Sequence, residues 1–181
     1  MRNHTFNSNA EQFRLAILVK DSAFNPTEIA KKYMPLCRPD TIVVELKYDT
    51  EKKVSAATIK DHLNTLLAGL KAIEVEYIYC ADGAYFKALT KQVKVEANLG
   101  YVFPCAIAGY EHMQVVLGVN HKAVMFSPNL EPKLIRSVTT MTDVLCGAYI
   151  EPGKDILQNY THIVDPTWSD FEPLMCHEIL A

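Results

Sequence analysis

The residues in this chain best suited to chemistry are Asp21, Asp82 and His121. Each follows a short apolar run: Asp21 comes after Phe13–Val19, Asp82 after Val75–Cys80, and His121 after Val115–Leu117. If those runs are strands of a parallel sheet, their carboxyl ends lie on one side and the three side chains face one crevice. A carboxylate and an imidazole converging there are what water activation and stabilisation of a developing charge require. Both aspartates have a competing role, because Asp directly after a strand commonly caps the following helix. Lys20 and Ser22 flank Asp21, and Asn120 and Lys122 flank His121. Lys20, Lys47, Lys87, Lys91, Lys94 and Lys122 together could form a positive rim, although scattered lysines equally make a solvated surface.

Other chemistries lack their motifs. The sequence contains no GxxxxGK(S/T) loop, no GxGxxG, no GxSxG elbow and no HExxH. The six histidines and five cysteines show no metal-ligand spacing, so neither a metal nor another cofactor is expected. Cys37, Cys80, Cys105, Cys146 and Cys176 are odd in number and form no CxxC pair, a pattern of reduced thiols in a cytosolic protein. Met1–Glu11 is polar with no apolar core of a signal peptide, and no apolar run approaches the length of a membrane span. A cytoplasmic protein without a membrane partner is therefore expected. At 181 residues, 49% apolar and 22% charged, the chain has the composition of one globular domain with an additional tail. Its formal charge of −3 is not the footprint of a basic nucleic-acid-binding domain, which leaves only a local basic patch for such contact.

The elements that must position these residues are read from periodicity. The organising stretch is Gln114–Phe126, an apolar strand, a turn at Gly118 whose φ freedom glycine supplies, and a polar cluster opening a short helix. Phe13–Val19 is near-continuously apolar, as a central strand covered on both faces would be. Asn25-Pro26-Thr27-Glu28 predicts a helix start, with Ile29, Tyr33 and Met34 as its inner face and Pro35 as its stop. Thr41–Leu46 is the second strand, and Ser55 caps a helix running to about Ala72 with Ile59, Leu63, Leu66, Leu67 and Leu70 inward. Val75–Cys80 is the third strand, followed by a short helix opened by Asp82-Gly83. Tyr101–Ile107 contains Pro104 and belongs at an edge or in a loop. Asn129 is a candidate cap for a last helix bearing Leu134, Val138, Met141 and Leu145, ended by Gly147. The alternation implies a three-layer α/β/α fold around a mainly parallel sheet of about four strands. Residues 1–12 are expected to be disordered, 13–149 to form the domain, and 150–181 to be a tail or linker.

The order of a strand ending in a carboxylate (Leu15–Asp21), a strand and long helix (Thr41–Ala72), the unit Tyr77–Leu89, and Val115–Phe126 resembles the uracil-DNA glycosylase superfamily. More narrowly, it is similar to the glycosylase-like domains that precede the exonuclease and polymerase modules of some phage family A DNA polymerases. The family's first motif carries a Gly-rich turn and an acid that positions water. Val19-Lys20-Asp21-Ser22-Ala23 keeps the acid without a glycine, and Phe24 is the local substitute for the ring that stacks on a flipped base. The family's last motif is a His-Pro-Ser turn that grips DNA phosphate. His121-Lys122-Ala123 occupies its place, and a shift of one residue matches Asn120 instead.

The resemblance implies Asp21 and His121 as the catalytic pair if the domain is active, with Lys20, Ser22, Asp82, Asn120 and Lys122 contacting DNA. With the glycines and the stacking ring missing, the first expectation is a degenerate, non-catalytic accessory domain of a phage DNA polymerase. Its partners would be DNA, the polymerase and exonuclease modules of the same chain, or another replisome protein, in the host cytoplasm. The alternatives are an active glycosylase on uracil or a damaged base, and a nucleotide-binding α/β domain unrelated to either.

Overall fold

The computed structural model describes residues 1–154. The chain divides between Tyr149 and Ile150, and the fold below is that of Met1–Tyr149. Its centre is a six-stranded mixed sheet in the order β1-β3-β2-β4-β6-β5. The strands are β1 (Asn3–Thr5), β2 (Leu15–Lys20), β3 (Thr41–Leu46), β4 (Tyr77–Cys80), β5 (Val102–Pro104) and β6 (Gln114–Leu117). The β3/β2, β2/β4 and β4/β6 pairs are parallel, whereas β1 on β3 and β5 on β6 are antiparallel. This corrects the expected mainly parallel sheet of about four strands. The strands beyond the expected four are both three-residue edge strands: β1 falls in the segment expected to be disordered, and β5 takes the edge position expected of Tyr101–Ile107. β5 ends at Pro104, which an edge tolerates because no inner neighbour needs its missing N–H.

The N-terminal segment expected to be disordered supplies β1. Asn3 pairs with Val44 and Thr5 with Ile42. Beside this ladder, Arg2 grips the Glu45 carboxylate in a fork, Nε to Oε2 and an η nitrogen to Oε1, both at 3.0 Å. The Arg2 hydrogen bond holds the Glu45 carboxyl below its ordinary range.

Five helices complete the domain: α1 (Pro26–Lys32), α2 (Ala56–Ala72), α3 (Gly83–Thr90), α4 (His121–Phe126) and α5 (Glu131–Cys146). Their starts follow local chemistry. Asn25 accepts from the Thr27 and Glu28 N–H groups with Pro26 beside it, Ser55 accepts from Thr58 N–H, and Asp82 accepts from Tyr85 N–H. α5 ends on Gly147 at φ +72°, a left-handed position that suits glycine. Asn129, by contrast, lies within the 3-10 turn Pro128–Leu130, and Leu130 precedes α5 without a side-chain cap. Ile29 and Tyr33 are buried as expected, but Met34 is exposed because Met34–Leu36 turns as a 3-10 helix.

Alternation along the strands sorts the core into two clusters. Ala16, Leu18, Ile42, Val44, Ile78, Cys80, Val115 and Leu117 join Leu63, Leu66, Leu67 and Leu70 of α2 and Tyr85, Phe86 and Leu89 of α3. Leu15, Ile17, Val19, Val43, Tyr79 and Val116 join Ile29 and Tyr33, Val124 of α4, and Leu134, Val138, Met141 and Leu145 of α5. Burial of this kind is worth roughly 1.5–3 kcal/mol per large side chain relative to exposure. The parallel register aligns Leu18 with Cys80 and Cys80 with Leu117, so β4 and β6 end level while β2 runs two residues further, to Lys20. Successive connections leave β2 for β3 on one side and reach β4 on the other, which puts a topological switch point beside β2.

Gly118 is required for space, not for a positive φ. It is not among the glycines of left-handed conformation, but a Cβ there would lie 2.6 Å from Cζ of Tyr79. Tyr79 is fully buried and cannot swing aside, so Gly118→Ala is expected to cost about 1–3 kcal/mol. The measurement is urea denaturation; an unchanged midpoint would show that the ring yields.

Candidate functional site at the carboxyl edge of the sheet

The loops leaving β2, β3, β4 and β6 meet at one edge, which is where the expected site residues lie. After β2 the chain turns through a 3-10 helix, Asp21–Ala23. Asp21 Oδ1 accepts from Ser22 N–H at 2.7 Å, and its carbonyl accepts from an Arg2 η nitrogen at 3.0 Å. Lys20 Nζ donates to the Glu51 carbonyl and stands 4.3 Å from the centre of the Tyr48 ring. Lys122 crosses from α4 and donates to the Ser22 carbonyl at 3.0 Å, joining the β2 and β6 loops.

Asp82 is engaged on both carboxylate oxygens. Oδ1 caps α3 by accepting from Tyr85 N–H at 3.0 Å, and Oδ2 accepts from the Tyr48 hydroxyl. The capping role weighed for Asp82 is therefore the observed one. Asn120 is likewise a cap, its Oδ1 accepting from Lys122 N–H at 2.9 Å at the start of α4.

His121 is turned into the protein and is only 4% exposed. Its ring meets that of Tyr33 edge-to-face at 5.4 Å between centroids. The Tyr33 hydroxyl has one proton, and it donates this to the Val119 carbonyl at 2.6 Å. Tyr33 is buried, and that burial raises its pKa well above the ordinary value, so the proton stays on. The same oxygen accepts from His121 N–H at 2.9 Å and faces His121 Nδ1 at 3.3 Å. With the tyrosine proton already directed at Val119, the Nδ1 contact works only if Nδ1 carries hydrogen. Burial lowers the pKa of His121 below 6.5; Glu28 opposes this, and Lys32 and Lys122 reinforce it. At neutral pH the ring is then the neutral Nδ1–H tautomer, whose Nε2 is an acceptor. A role in which a charged His121 donates to phosphate is not the resting state of this side chain.

Two cavities open at the edge. One, of about 310 Å³, runs between the ends of β4 and β6. It is lined by Asp82, Gly118, Asn120, Leu99 and Leu130, with the Lys133–Glu96 pair (3.9 Å) in its wall. The other, of about 280 Å³, is polar and lined by Met1, Asp21, Glu45, Lys47, Tyr48 and His62. Asp82 and Asn120 thus share a cleft, Asp21 faces the polar pocket, and His121 lines neither. The sheet brings Asp21, Asp82 and His121 to one edge without joining Asp21 and His121 in either cavity.

His62 was not singled out by the sequence reading. Its Nε2 is buried without a hydrogen-bond partner, burial lowers its pKa, and its ring meets Tyr85 edge-to-face at 5.8 Å. The available signal was its place three residues after Ile59 and four before Leu66, at the margin of the apolar stripe of α2; there it lines the polar pocket with Lys47 and Tyr48 after β3. Among the described residues, no group of three or more His, Cys, Asp or Glu side chains could hold a metal, and no helix is long and apolar enough to cross a membrane. Cys80 and Cys105 are buried and Cys37 is half-buried; burial raises all three thiols, Cys37 to about 11. Cys176 and most of the expected tail lie outside the described residues. No protein-family model matches this chain, nor does any curated protein.

The lowered pKa of His121 has a sign for stability. An unfolded His binds its proton near 6.5, whereas the folded one does so only at lower pH. The contribution is complete above that value and is lost as pH falls through 6.5 toward the folded pKa. His62 acts in the same direction. Wild type is expected to lose more stability between about pH 7 and pH 5 than His121→Gln, measured by urea denaturation across pH. Parallel pH profiles would contradict a His121 held neutral by burial.

Proposed function

We propose that this chain is a non-catalytic accessory domain of a phage DNA polymerase, with a three-layer, uracil-DNA glycosylase-like fold that contributes binding rather than base excision. The observation that carries the reading is the engagement of the edge residues with the fold itself. Asp82 is held by Tyr48 and Tyr85, and Asn120 caps α4. His121 is buried as a neutral donor to Tyr33. Base excision needs a carboxylate and a charge-stabilising donor aimed at the same flipped nucleotide, and Asp21 and His121 have no common cavity among those described above.

Two core clusters, one holding α2 and α3 and the other α1, α4 and α5, support the three-layer arrangement. DNA contact falls to the β2 turn and the start of α4. There the exposed Ser22 and Lys122, with the half-buried Lys20 and Asn120, offer hydroxyl, ammonium and amide side-chain donors to phosphate. In the polymerase setting, the exonuclease and polymerase modules or another replisome protein are the natural protein partners, in the host cytoplasm.

Single-turnover uracil excision on single- and double-stranded DNA is expected to give no product above the blank. Oligonucleotide binding should be weak and salt-sensitive, with Lys20→Ala and Lys122→Ala each reducing the salt slope by about one. Clear excision by wild type that is lost in both Asp21→Asn and His121→Ala would replace this reading with an active glycosylase. Absence of DNA binding by wild type would remove the DNA-contact role.

A further inference from the structure

The outer surface between α2 and α3 carries a groove of about 620 Å³ that shares no lining residue with the two cavities of the carboxyl edge. Its floor is apolar, with Val54, Ile59 and Leu63 on one side and Ala84 and Ala88 on the other. The two alanines are the reason it stays open, since larger side chains at those positions of α3 would fill it. Lys60 of α2, with Lys87 of α3 and Lys91 just after it, stands on its rim, and all three are exposed. No acidic residue lines the groove, and none of the three lysines forms an ion pair among the described residues. Lys87 in the last turn of α3 and Lys91 at its left-handed end set like charges on the same groove. In a chain of formal charge −3, three unpaired cations around an apolar trough form a local site of opposite sign.

We infer that this groove docks an acidic, apolar-anchored segment of a partner protein, laid as a short helix or extended peptide between α2 and α3. Leucine- or phenylalanine-type anchors would fill the floor, and carboxylates would meet Lys60, Lys87 and Lys91, the helix-in-groove mode of peptide recognition. Nucleic acid is the poorer occupant. Single strands are held by stacking on aromatic rings and by arginine, and this groove is lined by neither. The inference is independent of the glycosylase-like reading, because it uses no residue of the carboxyl edge.

The test is to pan the whole chain against a random dodecapeptide library and to measure binding of a synthetic consensus peptide by fluorescence anisotropy. Enriched peptides should place Asp or Glu beside Leu, Ile or Phe. The consensus should bind at least about tenfold more weakly to Lys60→Glu/Lys87→Glu, a reversal of complementary charge. Ala84→Trp, which blocks the floor while keeping every lysine, should weaken it comparably. Both variants change exposed positions, and circular dichroism with urea denaturation verifies that they fold. No enrichment over a blank surface, enrichment without acidic residues, or binding indifferent to both variants would overturn the proposal. So would an oligonucleotide that binds through these lysines when no peptide does.

Discussion

The main chain of Val119 is held from both sides by buried phenols, and the geometry of the carboxyl edge depends on that grip. Tyr33 donates to its carbonyl at 2.6 Å, and Tyr79 accepts from its N–H at 3.3 Å. Ser137 gives its proton to the Leu134 carbonyl, so the 2.7 Å contact between Tyr79 and Ser137 has the tyrosine as donor. Every hydroxyl in this chain of contacts therefore has a defined direction, running from α5 through the sheet to the β6 loop and on to α1. A buried polar network is stable only when its members are satisfied, and each broken link would leave a group costing roughly 1–3 kcal/mol.

The consequences reach the site directly. With Val119 pinned, the Tyr79 ring lies so close to Gly118 that no side chain fits there. The turn then delivers Asn120 outward as a cap and His121 inward against Tyr33. The residue that looks most chemical in the sequence becomes a structural ligand of a tyrosine. A strand followed by a glycine turn and a histidine is shared by catalytic edges and by this one, and the difference lies in what waits beneath the turn.

The local grammar of the fold was readable where one residue decides one hydrogen bond. Asn25, Ser55 and Asp82 each precede an apolar periodic stretch and cap it, and Gly147 ends α5 in the left-handed conformation. The inner strands were visible because both faces are apolar. What stayed hidden depends on partners far along the chain. β1 exists because Asn3–Thr5 finds the open edge of β3 and Arg2 finds Glu45, forty-three residues away. The burial of His121 rests on Tyr33, eighty-eight residues earlier, and no local pattern encodes it. Gly118 was recognised as necessary for the wrong reason: its neighbour Tyr79 is a packing constraint that only the folded sheet creates.

The role of the carboxyl edge turns on the state of one imidazole. Long-range ¹H–¹⁵N correlation of the histidine side chains in the intact protein near neutral pH reads protonation and tautomer at each ring nitrogen. For His121 the expected result is a neutral ring with hydrogen on Nδ1 and none on Nε2, protonating only below the ordinary 6.5. A ring found as the Nε2–H tautomer, or as imidazolium at neutral pH, would contradict it and return His121 to the surface chemistry from which this structure withdraws it.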